Sequence, residues 1–547
     1  MPEFTINLKD LKNLMGKEVS DEKLKEILPL NKLEIEEWGP EIKIETNPDR
    51  PDLFSAEGIA RQLKGFLGFS KGLPKYENLK QKIKVNAENV KVRPYIVCGI
   101  VRGLKLTDDL IKSLMQLQDL LDLTIGRGRK KTSTGIHDLS KVKPPFTYKE
   151  IEPEKIRFIP LDMNEELNLK EILEKHPKGR EYGHIVSSGK KWPILVDSEN
   201  NVLSFPPIIN GELTRVTEKT KDLFIDVTGL DKNAINQVLN IIVTSLAERG
   251  GKIELVKVNN ELKPDLKPKE IEVELKEAND LLGLNLNENE AKQLLERANY
   301  GVSQIKNGKI KVLIPAYRAD ILHPVDIIED IAISYRLNNF KPEMPKLPFL
   351  GSSNYLEDFC ETMRNLMIGL GFQEVLNFIL TSKESQFKLM EVKEEEVVEL
   401  MKPVSLNYSM CRKWILPELL ENLSENKHHA FPQKMFEIGN CVEVDLNEET
   451  KTRDIKKLSA VISHSKANFS EITSIINSIA DNLNLKFKLE NHNHPSFIKG
   501  RCGKILLNSK EIGIFGEIHP QVLNNFKIEK PVVGFELNIN ILATQKV

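Results

Sequence analysis

No CxxC pair occurs in this sequence: its five cysteines, Cys98, Cys360, Cys411, Cys441 and Cys502, are scattered. That spacing excludes a disulfide framework or a cysteine-ligated zinc site and fits reduced thiols. His492 and His494 form an HxH with no cysteine pair nearby, and read as surface loop. Neither charge dominates, since 78 basic residues face 80 acidic ones for a formal net charge of −2. A protein held on nucleic acid by overall charge is thereby excluded; any RNA contact must use local patches. No apolar run can cross a bilayer, for the longest uncharged stretch, Asn233 to Ala247, is short and polar. The opening MPEFTINLKDLKNLMG has early acids and no apolar core, so a signal peptide is not expected. The expectation is a soluble cytoplasmic protein with no membrane partner. GRGRKK at 126–131 is not a P-loop, because no GK[ST] follows its first glycine at the right spacing. A Ser–His–Asp or Cys–His set is not evident either.

With 40% hydrophobic and 29% charged residues, 547 residues are enough for three to five domains, each with its own core. The densest chemistry is PAYRADILHPVDIIEDIAISY, residues 315–335. Pro324 suits the first turn of a helix. Val325, Ile328, Ala332 and Tyr335 then recur at helical spacing as an apolar face. Asp326, Glu329 and Asp330 gather on a neighbouring face, with Asp320 just ahead. Two readings stand. The acids oppose the positive helix N-terminus, or they converge and need a cation such as Mg²⁺ among them. In GRGRKK, Arg127, Arg129, Lys130 and Lys131 suit either an RNA phosphate or a solvated basic turn at a helix C-terminus. WPILVDSENNVLSFPPIINGELTRV, residues 192–216, predicts a buried strand pair turning at Ser198–Asn201. A Pro206–Pro207 corner follows and presents Asn210, Glu212 and Thr214 beside a small pocket.

Several of these stretches share one resemblance: NPDRPD…EGIAR, GRGRKK…GIHDL, FPPIINGE…TRVTEKTKD…DVTG, and the acid-rich helix with its YRLNNF. Together they resemble the β subunit of phenylalanyl-tRNA synthetases, in the short archaeal and eukaryotic form. The resemblance spans the chain and implies a multidomain α+β fold. Its parts are an N-terminal α/β, B1-like domain over 1–88, a B3/B4-like editing domain over 89–262, and a winged-helix-like B5 domain over 263–345. A class II synthetase-like antiparallel-sheet core lacking catalytic motifs follows over 346–547. The lysine-rich ENLKQKIKVNAENVKV reads as a linker between the first two and KPEMPKLPFLGSS as one before the last. Ser55 reads as a helix N-cap, Asn307–Gly308 as a hairpin turn and FQEVLNFIL as one strand. In the last module only Arg364, Arg412, Arg453 and Arg501 are present, so none follows VVGFELNI, where the ATP-binding motif needs one. The second helix of 263–345 carries acids as well as bases, and DNA binding is not expected.

The resemblance implies a β subunit in an α2β2 heterotetramer. The α subunit charges tRNA(Phe) with phenylalanine, using ATP. The β subunit hydrolyses mischarged tyrosyl-tRNA(Phe), with water positioned by backbone groups and Asn210. Position by position, Leu195, Ser204 and Asn210 fall on the lining of the editing pocket, and Glu212 near the reader of the tyrosine hydroxyl. Asp320, Asp326, Glu329 and Asp330 fall where a Mg²⁺ shared with α is held. A separate editing site is needed because an apolar pocket rejects an isostere with one added hydroxyl by only about 10². The alternatives are a free-standing mischarged-tRNA deacylase, and a scaffold subunit without editing.

Overall fold

In the computed structural model, which describes residues 2–349 and 351–544, a ten-stranded sheet organises the middle of the chain. Leu350, in the expected linker KPEMPKLPFLGSS, and residues 545–547 lie outside the described residues. From one edge the strands run Ile209–Asn210, Val202–Phe205, Trp192–Val196, Phe146–Ile151, Asn78–Ala87, Lys252–Val258, Tyr95–Arg102, Leu223–Gly229 and Thr132–Asp138. Glu261–Lys263 pairs beside Lys252–Val258. YIVCGIVR and LFIDVTG are apolar at successive positions because both their faces are buried. One face packs Val97, Val101, Ile225 and Val227 against the helix Lys232–Glu248. The other encloses Cys98, Ile100, Phe146, Tyr148 and Phe224. The two edges approach, and Asn210 Nδ2 donates to the Ile136 carbonyl at 3.4 Å, so the sheet curls towards a barrel.

The lysine-rich stretch expected as a linker is instead the strand Asn78–Ala87, parallel to both neighbours within this sheet. Ile83 and Val85 are buried while Lys80, Lys82 and Lys84 are exposed. One apolar face is all a strand requires, and the lysines of the other face hid it.

The chain divides into two compact units, Met1–Glu343 and Met344–Val547. In the first, residues before the large sheet form the antiparallel strands Glu3–Asn7, Glu41–Thr46 and Leu33–Glu37 with two short helices. Ser55 caps the helix Ala56–Phe66 by accepting from the Gly58 N–H at 3.3 Å. A Cβ on Gly65 would stand 2.4 Å from the Arg297 carbonyl, so glycine lets this helix meet Glu288–Arg297. After the large sheet, Asn307 and Gly308, at φ 54° and 76°, turn the hairpin Gly301–Lys306/Lys309–Ile314. The helix Pro324–Tyr335 packs through Ile327, Ile328 and Ile331. Val325, expected on its apolar face, is 42% exposed.

The second unit is a seven-stranded sheet. Gln433–Val444, Thr452–Ser463, Val532–Asn538, Lys510–Ile518, Phe497–Leu507 and Lys488–Asn491 pair antiparallel, and Gln373–Glu374 joins the edge in parallel. FQEVLNFIL, expected as one strand, gives only the short pieces Gln373–Glu374 and Leu380–Thr381. Arg412 is buried and its Nη2 meets Glu437 at 2.6 Å. Glu418 is buried nearby on the helix Leu416–Glu425 and accepts from Gln386 Nε2 at 2.8 Å. Burial pushes its carboxyl up to about 8, with Arg412 pulling the other way. The folded chain therefore holds a proton that the unfolded chain releases near 4.5, and stability falls as pH rises between those values. Glu418→Gln is expected to flatten the unfolding midpoint over that window. A variant as steep as the wild type would clear this carboxyl of responsibility.

Candidate functional site

A cavity of about 620 Å³ opens where the two edges of the large sheet approach. That volume suits a ligand of side-chain to drug size. The Ser204–Gly211 corner forms one wall, Ser133–Ile136 another, and Ile111, Met115 and Gln118 of the helix Asp108–Leu123 a third. Ser204 and Asn210 face each other in strand register. The Ser204 hydroxyl is buried with no hydrogen-bond partner among the described residues, an arrangement that costs free energy until a ligand supplies one.

Three residues far apart in sequence meet at this cavity. His137 Nε2 lies 2.8 Å from Asp226 Oδ2, and His137 Nδ1 lies 2.8 Å from Thr214 Oγ1. All three are buried, and Asp226 and Thr214 line the cavity. With Nε2–H donating to the carboxylate, Nδ1 is an acceptor for the Thr214 hydroxyl, whose one proton is shared with the Gly211 carbonyl at 3.1 Å. Gly135 makes the approach feasible, since a Cβ there would stand 2.3 Å from Asp226 Oδ2. The structure thus holds the Thr–His–Asp set that was not evident in the sequence. A hydroxyl–imidazole–carboxylate chain can take up and return a proton.

Of the expected pocket residues, Ser204 and Asn210 line the cavity, whereas Leu195 and Glu212 do not. Leu195 is fully buried among Tyr148, Phe146 and Phe224 inside the curled sheet. Glu212 chelates Arg215 at 2.7 and 2.8 Å, and that arginine holds its carboxyl below the usual range. The basic loop divides. Arg129 Nη1 donates to the Pro207 and Ile208 carbonyls at 3.2 and 3.0 Å, and its guanidinium lies 4.6 Å from the Tyr182 ring centroid. It braces the proline corner instead of reaching for RNA. Lys131 pairs with Asp231 at 3.0 Å, while Arg127 and Lys130 are exposed.

The four acids of 320–330 do not converge. Arg318 grips Asp320 through two hydrogen bonds of 2.8 and 2.6 Å and reaches Asp330 at 2.7 Å. Tyr300 donates to the same Asp330 oxygen. Arg50, paired with Asp52 at 2.9 Å, stands 4.0 Å from both Asp320 and Asp330. Burial opposes ionisation of Asp330, but Arg318 and then Arg50 outweigh it and hold the carboxyl below the usual range. Asp326 accepts from the Leu322 and His323 N–H groups at 2.8 and 2.7 Å, capping its helix. Glu329 is exposed and pairs with Lys32 at 2.9 Å. Arg61, 3.6 Å from the Tyr317 ring centroid, completes three buried arginines against Asp52, Asp320 and Asp330. Asp320 and Asp330 are thereby held by arginines, Asp326 by backbone N–H groups and Glu329 by Lys32, so within this chain the four do not form one ligand set for Mg²⁺. Among the described residues, acids with mutually close oxygens occur elsewhere, at Glu34, Glu36 and Glu45.

Comparison with known proteins bears on this arrangement. Three family models match: the B3/4 domain over residues 107–255, the tRNA synthetase B5 domain over 271–336, and the phenylalanyl-tRNA synthetase β chain CLM domain over 341–539. Phenylalanine–tRNA ligase β subunits of Methanocaldococcus jannaschii and Pyrococcus abyssi are 46% and 47% identical, covering 98% of this chain and 100% and 99% of theirs. The chain belongs to the phenylalanyl-tRNA synthetase β-subunit family. A crystal structure of an N-terminal fragment of the β subunit from Pyrococcus horikoshii, 46% identical, covers 61% of this chain and 99% of its own, with a TM-score of 0.59. In family terms the cavity and its Thr–His–Asp set lie in the B3/4 segment. The strands Asn78–Ala87 and Tyr95–Arg102, which complete its sheet, precede that match. The arginine–aspartate cluster joins the B5 segment to residues 50–61. Among the described residues no helix is long and apolar enough to cross a membrane.

Proposed function

We propose that the chain acts in the cytoplasm as the non-catalytic β subunit of an α2β2 phenylalanine–tRNA ligase, and that its B3/4 cavity hydrolyses tyrosine from mischarged tRNA(Phe). The observation that carries the editing role is the buried Asp226–His137–Thr214 chain beside the unpartnered Ser204 hydroxyl. A bound tyrosine phenol would satisfy Ser204, whereas a phenylalanine ring would leave it unmet, the contrast a second site needs. Water then attacks the ester carbonyl, and its proton passes to the relay. The bond to the terminal ribose oxygen breaks, and that oxygen recovers the proton. Asn210, beside the corner, orients the ester.

Residues 346–547 are read as class II synthetase-like and 263–345 as winged-helix-like. The buried Arg412 is tied to Glu437, which suits a scaffold more than an ATP site. ATP and its Mg²⁺ are accordingly assigned to the α subunit. The surface for α is an apolar patch on the second unit, where Leu376, Phe378, Met401, Val404 and Leu406 are exposed on two adjoining segments. Phe378 and Tyr408, with ring centroids 5.8 Å apart, bridge those segments. Patches of this kind mark protein interfaces.

Co-expression with the α subunit tests the reading, following phenylalanine charging and loss of tyrosine from pre-mischarged tRNA(Phe). Charging is expected only in the complex, with clearance reduced at least tenfold by Asn210→Ala. Full-rate clearance by the chain alone would favour a free-standing deacylase. Clearance untouched by the variant would remove Asn210 from the site.

A further inference from the structure

Lysine placement on the large sheet points to a second surface, away from the cavity. Lys80, Lys82 and Lys84 alternate along the strand Asn78–Ala87 and are exposed. Lys80 and Lys82 fall where the ladder is irregular, between Leu79 and Ile83, and Lys84 where regular pairing has resumed. The register sets Lys257 directly opposite Lys84, and Lys149 lies on the strand that pairs with Val85–Ala87. Alternation puts the five lysines on one face of these three strands with Asn78, Asn86, Thr147 and Leu255, while on the same face Ile253 is buried under the helix Lys232–Glu248 and Ile151 packs beside Trp192. No acid of the three strands shares that face, and the nearest along the ladder is the exposed Glu88 just past its end. None of the five lysines has an ion-pair partner among the described residues. Like charges set directly opposite each other destabilise a sheet, and among the described residues no acid pairs with Lys84 or Lys257. The stripe is also local, standing out against a formal net charge of −2.

We propose that this outer face of the large sheet binds an RNA phosphodiester backbone through Lys80, Lys82, Lys84, Lys149 and Lys257. The contact reads charge and spacing only, because flexible ammonium groups on a flat strand reach phosphate oxygens and carry no base-reading geometry. That the RNA is tRNA rests on the family reading; recognition of the backbone does not.

The test uses the full-length chain co-expressed with its α subunit. Filter binding measures its affinity for a tRNA(Phe) transcript and for an unrelated RNA hairpin of equal length, between about 50 and 200 mM salt. Replacing Lys80, Lys82 and Lys84 together by glutamine is expected to weaken both complexes and to flatten the slope of log K against log salt by about two to three. A control triple at the exposed Lys105, Lys276 and Lys466 is expected to leave the slope in place. Should the first triple melt early, Lys82→Gln alone is expected to take about one from the slope. An unchanged slope would overturn the proposal and leave the stripe to an acidic protein surface. An equal loss in the control triple would overturn it as well. Because binding is the readout, a stripe that binds RNA in a complex that fails to charge would stand while the family reading fell.

Discussion

Arg318→Met is expected to destabilise the first unit by about 3–5 kcal/mol, because it strands two buried carboxylates, Asp320 and Asp330, without their shared cation. Arg50 cannot take over, since it stands 4.0 Å from each and already serves Asp52. Denaturant titration would measure the loss. Adding Asp330→Asn is expected to recover part of it, with a coupling of about 0.5–3 kcal/mol, because one stranded charge is then gone. The depression of Asp330 fixes the pH direction: its contribution is present above the unfolded carboxylate value of 3.8 and disappears as pH falls below it. Chelation supplies an independent check. EDTA is expected to leave the wild-type midpoint unchanged, and a drop would show that a metal shares this corner after all.

Asp226→Asn is expected to cut tyrosine clearance by about 10²–10³ while phenylalanine charging by the assembled enzyme stays near wild type. The amide keeps the volume of the carboxylate but can no longer fix the His137 tautomer or stabilise its protonated form. The pH profile separates loss of chemistry from loss of fold: clearance that recovers at higher pH with an unchanged melting temperature identifies the relay. Normal clearance in this variant would reduce the buried set to architecture.

Local pattern made much of the fold legible. Asn307–Gly308 announced its hairpin, Ser55 its helix, and Pro206–Pro207 the corner that carries Ser204 and Asn210. What stayed hidden were partnerships across long sequence separations. His137 stands in GIHDL and Asp226 in FIDVTG, two ordinary strand segments, and only their direct antiparallel pairing, which sets Asp226 against Gly135, brings them together. Their trace in the sequence is a polar residue within a strand otherwise buried. The acids of 320–330 look unpaired in sequence because the fold alone turns Arg318 back onto Asp320 and Asp330 and brings Arg50 in from far upstream. Repulsion among acids argues for a metal only after the arginines have been counted.

The buried arginine cluster also imposes an order on synthesis. Arg50 and Asp52 leave the ribosome roughly 270 residues before Arg318, a wait of about 13–54 s at ordinary elongation rates. The whole of the large sheet is made in that interval. The first segment of the chain must therefore stay unfinished yet intact while its neighbour folds, and only the last turns of the B5 helix close it. A nascent chain released before Arg318 would hold Arg50 and Asp52 without Arg318, Asp320 and Asp330, and quality control would meet it as an incomplete protein, however well its central sheet had formed.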